Sequence, residues 1–175
     1  MISRLRFYFY FGGRKFEKQA VARAGKVFNL AKEIIFILPD DPEQARESAV
    51  IAEYFKEKRK RIIAVSVNDS ASLVPAGLYH EIIVLQMKKL SKYKLPPKTV
   101  KHLLESQSAD LVIDLSGSDF PFFRYAARTI PASFYAGIEK QEAEKFFDFI
   151  YRPGNAPFEG IYPGFLNSIT MFGRD

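Results

Sequence analysis

Two groups of residues in this chain have the types and spacing to do chemistry. Asp40 and Asp41 follow one hydrophobic run, and Asp114, Ser116, Gly117, Ser118 and Asp119 follow or close another. Carboxylates gathered in this number are able to hold Mg²⁺ or to act as base and acid. Hydroxyls and a glycine ahead of a helix start leave backbone N–H groups available to an anion. Each residue also has a structural use. Asp41 precedes Pro42 and lies three residues before Gln44, the pattern of a helix N-cap. Asp119 stands two residues before Pro121 and reads as a second cap, while Asp114 reads as a satisfied polar group at a strand end. The turn Ser116-Gly117-Ser118 matches neither phosphate-loop pattern, G-x-x-x-x-G-K-[ST] or G-x-G-x-x-G, nor the G-x-S-x-G nucleophile elbow. The structural use therefore takes precedence. The seven residues are kept as a candidate ligand crevice, with no catalytic residue assigned.

Other chemistry is thin. There is no cysteine, which removes disulfides, thiolate metal sites and cysteine nucleophiles. His80 and His102 are far apart and lack H-x-x-x-H spacing, so no metal site is expected and no cofactor is implied. His102 is expected on the exposed side of a helix and His80 just before a strand.

The elements that must position the crevice are regular. Leu111, Val112, Ile113 and Leu115 form a near-continuous apolar run, the mark of a strand covered on both faces. Glu33–Leu38 (EIIFIL) is a similar strand, followed by a helix from Pro42 with Ala45, Ala49, Ala52 and Phe55 as its buried stripe. Ile62–Val67 and Glu81–Leu85 are the next strands. Lys98–Gln107 is a short helix. After the central strand come a helix through Ile130, strands at Ser133–Ile138 and Phe146–Tyr151, and a closing helix within Phe158–Phe172. Alternating strands and helices predict an α/β, Rossmann-like three-layer sandwich with a mostly parallel sheet of about six strands. The order 3-2-1-4-5-6 places strands 1 and 4 side by side. Ligands of open α/β sheets bind where the strand order reverses, so the two acidic groups are expected to converge there.

The segment DLVIDLSGSDFPFFRYAARTIPASFYAGI resembles the late part of the N-terminal domain of heptosyltransferase-type glycosyltransferases of the GT-B class. It resembles more closely a family of short bacterial proteins with a basic helical N-terminus, an FN-x-x-x-x-I strand entry and this IDLS strand. The resemblance runs over most of Phe28 to Tyr151. It implies a Rossmann-like half of a two-domain glycosyltransferase, with a general base in the loop after the first strand, where Asp40 and Asp41 stand. The Gly-Asp loop of those enzymes is replaced here by Pro39-Asp40. The sugar-nucleotide site would sit mainly on a second domain for which 175 residues leave no room. Glycosyl transfer by this chain alone is therefore not expected.

Composition bounds the rest. A hydrophobic content of 47% with 26% charged residues is ordinary for a globular chain. The net charge of +6 is unevenly placed: residues 1–32 carry eight Lys/Arg against the single acid Glu17, and the remainder is close to neutral. The chain thus divides into a basic N-terminal arm and helix, 1–32, and an α/β domain, 33–175. Arg14 to Phe28 reads as a basic amphipathic helix with Phe16, Ala20, Ala24, Val27 and Phe28 on one face, a face expected first of all to pack on the sheet and leave the lysines solvated. Arg4, Arg6, Arg14, Lys15, Lys18, Arg23 and Lys26 are the candidate surface for an anionic membrane or a protein partner. Nucleic acid is not expected, because the domain has no basic surplus and no reader motif. With no apolar run near 18 residues and no convincing signal peptide, the expectation is a cytoplasmic protein, a peripheral place on the inner membrane face being the alternative. A homo-oligomer is left open. The function expected is that of a non-catalytic binding or interaction domain, the alternative being an enzyme related to sugar-nucleotide chemistry.

Overall fold

The computed structural model describes residues 23–67, 72, 74–75, 77–85, 97–153 and 160–172. Helix α1 occupies residues 23–30. There follow β1 (Glu33–Ile37), α2 (Pro42–Glu47), α3 (Ala49–Glu57), β2 (Arg61–Val67), β3 (Glu81–Leu85) and α4 (Lys98–Glu105). Then come β4 (Ala109–Asp114), α5 (Pro121–Thr129), β5 (Ala132–Ile138), a 3-10 turn at Ala143–Lys145, β6 (Phe149–Tyr151) and α6 (Ile161–Phe172).

The six strands form one sheet in the order β3-β2-β1-β4-β5-β6, and every pairing is parallel. β1 and β4 are neighbours, with Ile34 opposite Leu111 and Ile37 opposite Asp114. The near-continuous apolar runs have the predicted cause: both faces are covered. Ile34, Phe36, Leu111 and Ile113 pack under α1, α2, α3 and α6, with Ala24, Phe28, Phe55, Tyr162 and Phe165. Ile35, Ile37 and Val112 face the other way, against Phe122, Phe123, Ala126 and Leu104 of α5 and α4. The architecture is the expected three-layer Rossmann-like sandwich.

Local differences have local causes. The helix after β1 breaks at Ser48, whose hydroxyl donates to the Ala45 carbonyl at 2.8 Å. β6 is shorter than predicted: Phe146 and Phe147 follow the 3-10 turn, and Asp148 ties back to β5 through its N–H to the Tyr135 carbonyl. The apolar face of α1 packs on the domain: Ala24 and Phe28 are buried, and the Phe28 ring sits edge-on to Phe134 and Phe149 at 6.2 and 5.4 Å. Of the candidate arm residues, Arg23 and Lys26 are exposed. Arg4, Arg6, Arg14, Lys15 and Lys18, together with Phe16 and Ala20, lie outside the described residues. No described helix is long and apolar enough to cross a membrane.

Candidate functional site at the carboxyl ends of β1, β4 and β5

The segment after β4 is built from a relay of side chains that accept from the backbone two residues ahead. Asp114 Oδ1 accepts from the Ser116 N–H (2.9 Å), Ser116 Oγ from the Ser118 N–H (3.1 Å), and Ser118 Oγ from the Phe120 N–H (3.2 Å). Short polar side chains favour such turns because each mimics a backbone acceptor. The relay ends where α5 begins. Phe120, not Asp119, is the N-cap residue of α5, and it makes no side-chain cap bond. The Asp119 carboxylate instead reaches the next loop and accepts from the Gln141 N–H at 2.6 Å. The expected cap fails because this longer-range acceptor role holds the carboxylate.

Asp114 is fully buried, and so is its partner, Lys140, at the end of β5. Lys140 Nζ lies 2.7 Å from Asp114 Oδ2, both side chains having no exposure. The ammonium also sits 5.9 and 5.7 Å from the ring centres of Phe123 and Phe147, within cation–π range. Burial raises the Asp114 carboxyl above the ordinary carboxylate range, opposed by the Lys140 charge and the Ser116 N–H. Gly137 stands opposite Asp114 on β5. A Cβ there would come within 2.7 Å of the Phe147 ring, so the glycine permits the aromatic wall beside Lys140.

The β1 end contributes less. Asp41 is the N-cap of α2, its Oδ1 accepting from the Gln44 N–H at 2.9 Å. Asp40 is exposed. Between the β1 and β4 loops lies Tyr162 of α6, buried, with its hydroxyl donating to the Leu115 carbonyl at 3.3 Å. Burial pushes its phenol well above the ordinary range, with the negative charges of Glu47, Asp114, Asp41 and Asp40 adding to the effect. Ile37 of β1 stands opposite Asp114 of β4, so the loops that carry the two acidic groups leave the sheet side by side. Ser116 is buried, Gly117 and Asp119 are exposed, and Ser118 is half-buried.

Lys140 is the residue that sequence reasoning missed. A lysine in the polar run Glu139-Lys140-Gln141-Glu142 has the signature of a solvated loop. The only available signal was Asp114 itself, a charge in a buried strand that requires a partner. The two histidines behave as expected. His102 is exposed, and His80 precedes β3, where its Nδ1 accepts from the Ile62 N–H at 3.1 Å. Among the described residues, no group of three His, Asp or Glu side chains is arranged to hold a metal. A separate open groove of about 510 Å³ lies near the strand-entry edge, lined by Glu53, Lys56, Glu57, Pro75 and Leu78.

No family model and no curated protein matches this sequence. Among solved structures, the chain is similar to the glycosyl transferase family 9 protein from Veillonella parvula DSM 2008. The match has a TM-score of 0.65 at 15% identity over 79% of this chain, and spans 41% of that protein's length. At this identity the similarity establishes the fold: a Rossmann-like architecture shared with part of a glycosyltransferase.

Proposed function

We infer that this chain is a non-catalytic, Rossmann-like binding or interaction domain, peripheral at an anionic membrane surface or on a protein partner. One observation carries the reading: apart from the exposed Asp40, the polar side chains at the crevice are engaged in holding the crevice together. Asp114 pairs with Lys140 and the Ser116 N–H, Ser116 and Ser118 cap the following turns, Asp119 holds Gln141, and Asp41 caps α2. A general base or a ligand-binding carboxylate needs lone pairs directed at the reacting group. These carboxylates direct theirs at the backbone and at a buried lysine. The experiment is a thermal-shift screen with nucleotides and sugar nucleotides. A ligand at 100 times its dissociation constant would stabilise the fold by about 2.7 kcal/mol. For a chain of this size that is a shift of roughly 5–10 °C. The reading expects none.

The alternative is an enzyme related to sugar-nucleotide chemistry, a partial glycosyltransferase-like domain. It is favoured by the fold similarity and by the exposed Asp40 in the loop after β1. A reproducible shift with one class of sugar nucleotide, lost in Asp40→Asn, would support it over the first reading.

A further inference from the structure

The strand-entry edge of the sheet, opposite the crevice, gathers cations from two elements far apart in sequence. The end of α1 abuts the α3–β2 turn: the Lys60 ammonium donates to the Asn29 carbonyl, and the Arg61 N–H donates to the Lys32 carbonyl at 2.8 Å. Lys26, Lys32, Lys58 and Arg59 are all exposed there. The acids of this edge offset part of this charge, Asp110 acting on Lys32 and Lys60, and leave Lys26, Lys58 and Arg59 as the surplus. Glu33 and Glu81 face Arg61, and Asp110 turns onto the N–H groups of Lys32 and Glu33. Glu57 is the exposed acid nearest in sequence.

Two further features belong to this edge. Leu30 is 63% exposed, although it ends a helix in which Ala24 and Phe28 are buried and Val27 is half-buried. Arg59, like Glu142 elsewhere in the fold, has a positive φ (58°), the left-handed region that glycine occupies without cost and that side chains with a Cβ do not favour.

We propose that this edge, formed by Lys26, Leu30 and Lys32 with Lys58, Arg59 and Lys60, is a docking surface for an anionic lipid bilayer. It rests on the reading of the chain as a membrane-peripheral domain and extends that surface from the N-terminal arm to the folded domain. Clustered lysines and arginines are attracted to anionic headgroups, and an exposed leucine among them enters the acyl boundary. Phosphate recognition alone would leave Leu30 unexplained.

The test is co-sedimentation of the full chain with vesicles of phosphatidylglycerol and phosphatidylcholine, against phosphatidylcholine alone, at about 0.1 M salt. Each cation contributes about fivefold to partitioning. The variant K32Q/K58Q/R59G should therefore bind anionic vesicles roughly 100-fold more weakly, and Leu30→Ser about tenfold. Arg59→Gly alone should lose about fivefold in binding yet melt no lower than the wild type, which separates docking from folding. A full chain with Arg4, Arg6, Arg14, Lys15 and Lys18 changed to Gln reports on the arm. If neutralising the arm abolishes binding while the edge variants pellet like wild type, the arm alone binds and this surface is refuted. If the wild type does not prefer anionic vesicles, the membrane reading fails with it. If the edge variants weaken retention of duplex nucleic acid but leave vesicle binding unchanged, the edge serves another partner and the proposal falls.

Discussion

Replacing Lys140 by Met keeps most of the side-chain volume and removes the charge, leaving Asp114 in a site with no solvent and a single N–H donor, that of Ser116. At 2.7 Å the direct attraction lost is of order 6 kcal/mol with an effective dielectric constant of 20, before desolvation is considered. The desolvation of the lysine that the variant avoids offsets part of this. Removal of one partner of a buried pair costs about 3–5 kcal/mol. The pH dependence has a definite sign. Burial already holds the Asp114 carboxyl above its ordinary range, and Lys140 opposes that rise. In Lys140→Met the opposition is gone, so the folded state binds a proton that the unfolded state releases. Stability then falls as pH rises between the unfolded and folded pKa values, by at most about 1.4 kcal/mol per unit. Urea unfolding at pH 5 and pH 8 measures both effects, and the variant should lose more, relative to wild type, at pH 8. The double variant D114N/K140M should recover much of the loss, because no buried charge remains. A single variant less than 1 kcal/mol below wild type, with an unchanged pH profile, would refute the reasoning.

Gly137→Ala should destabilise by about 1–3 kcal/mol by forcing Phe147 aside, read from the urea midpoint, with a smaller effect in the background of Phe147→Leu. Asp41→Ala removes the α2 cap bond and should cost about 1 kcal/mol, while an Asn at this position should retain most of it. Asp110 bridges the entries of β1 and β4, and the Lys32 and Glu33 N–H groups hold its carboxyl below the ordinary range. Its contribution is present above the unfolded pKa and is lost as pH falls through the folded one. The melting temperature of Asp110→Asn should therefore drop less than that of wild type on acidification below about pH 4.

The sheet was legible because its signals are local. EIIFI and ADLVID are strands buried on both faces, and that burial leaves a run of β-branched residues that needs no knowledge of the partner. Their adjacency followed from chain order and crossover handedness. The side-by-side placement of the β1 and β4 ends followed from the same strand order. The wiring of the crevice was not legible, because it depends on bonds between loops. Asp119 meets Gln141 and Asp114 meets Lys140, each across more than twenty residues with no periodicity to announce the pairing. Asp41, whose cap partner lies three residues away, was read correctly. Arg59 in a left-handed conformation was equally hidden, since nothing in Lys58-Arg59-Lys60 marks a residue standing where glycine is favoured.

The most direct test of the account is an amide ¹H–¹⁵N NMR titration with nucleotide and sugar-nucleotide ligands, following Ser116, Ser118, Phe120 and Gln141. These N–H groups donate to side chains within the crevice. The account predicts that their resonances stay in place up to millimolar ligand. Saturable shifts confined to these four amides would show a working ligand site and contradict it.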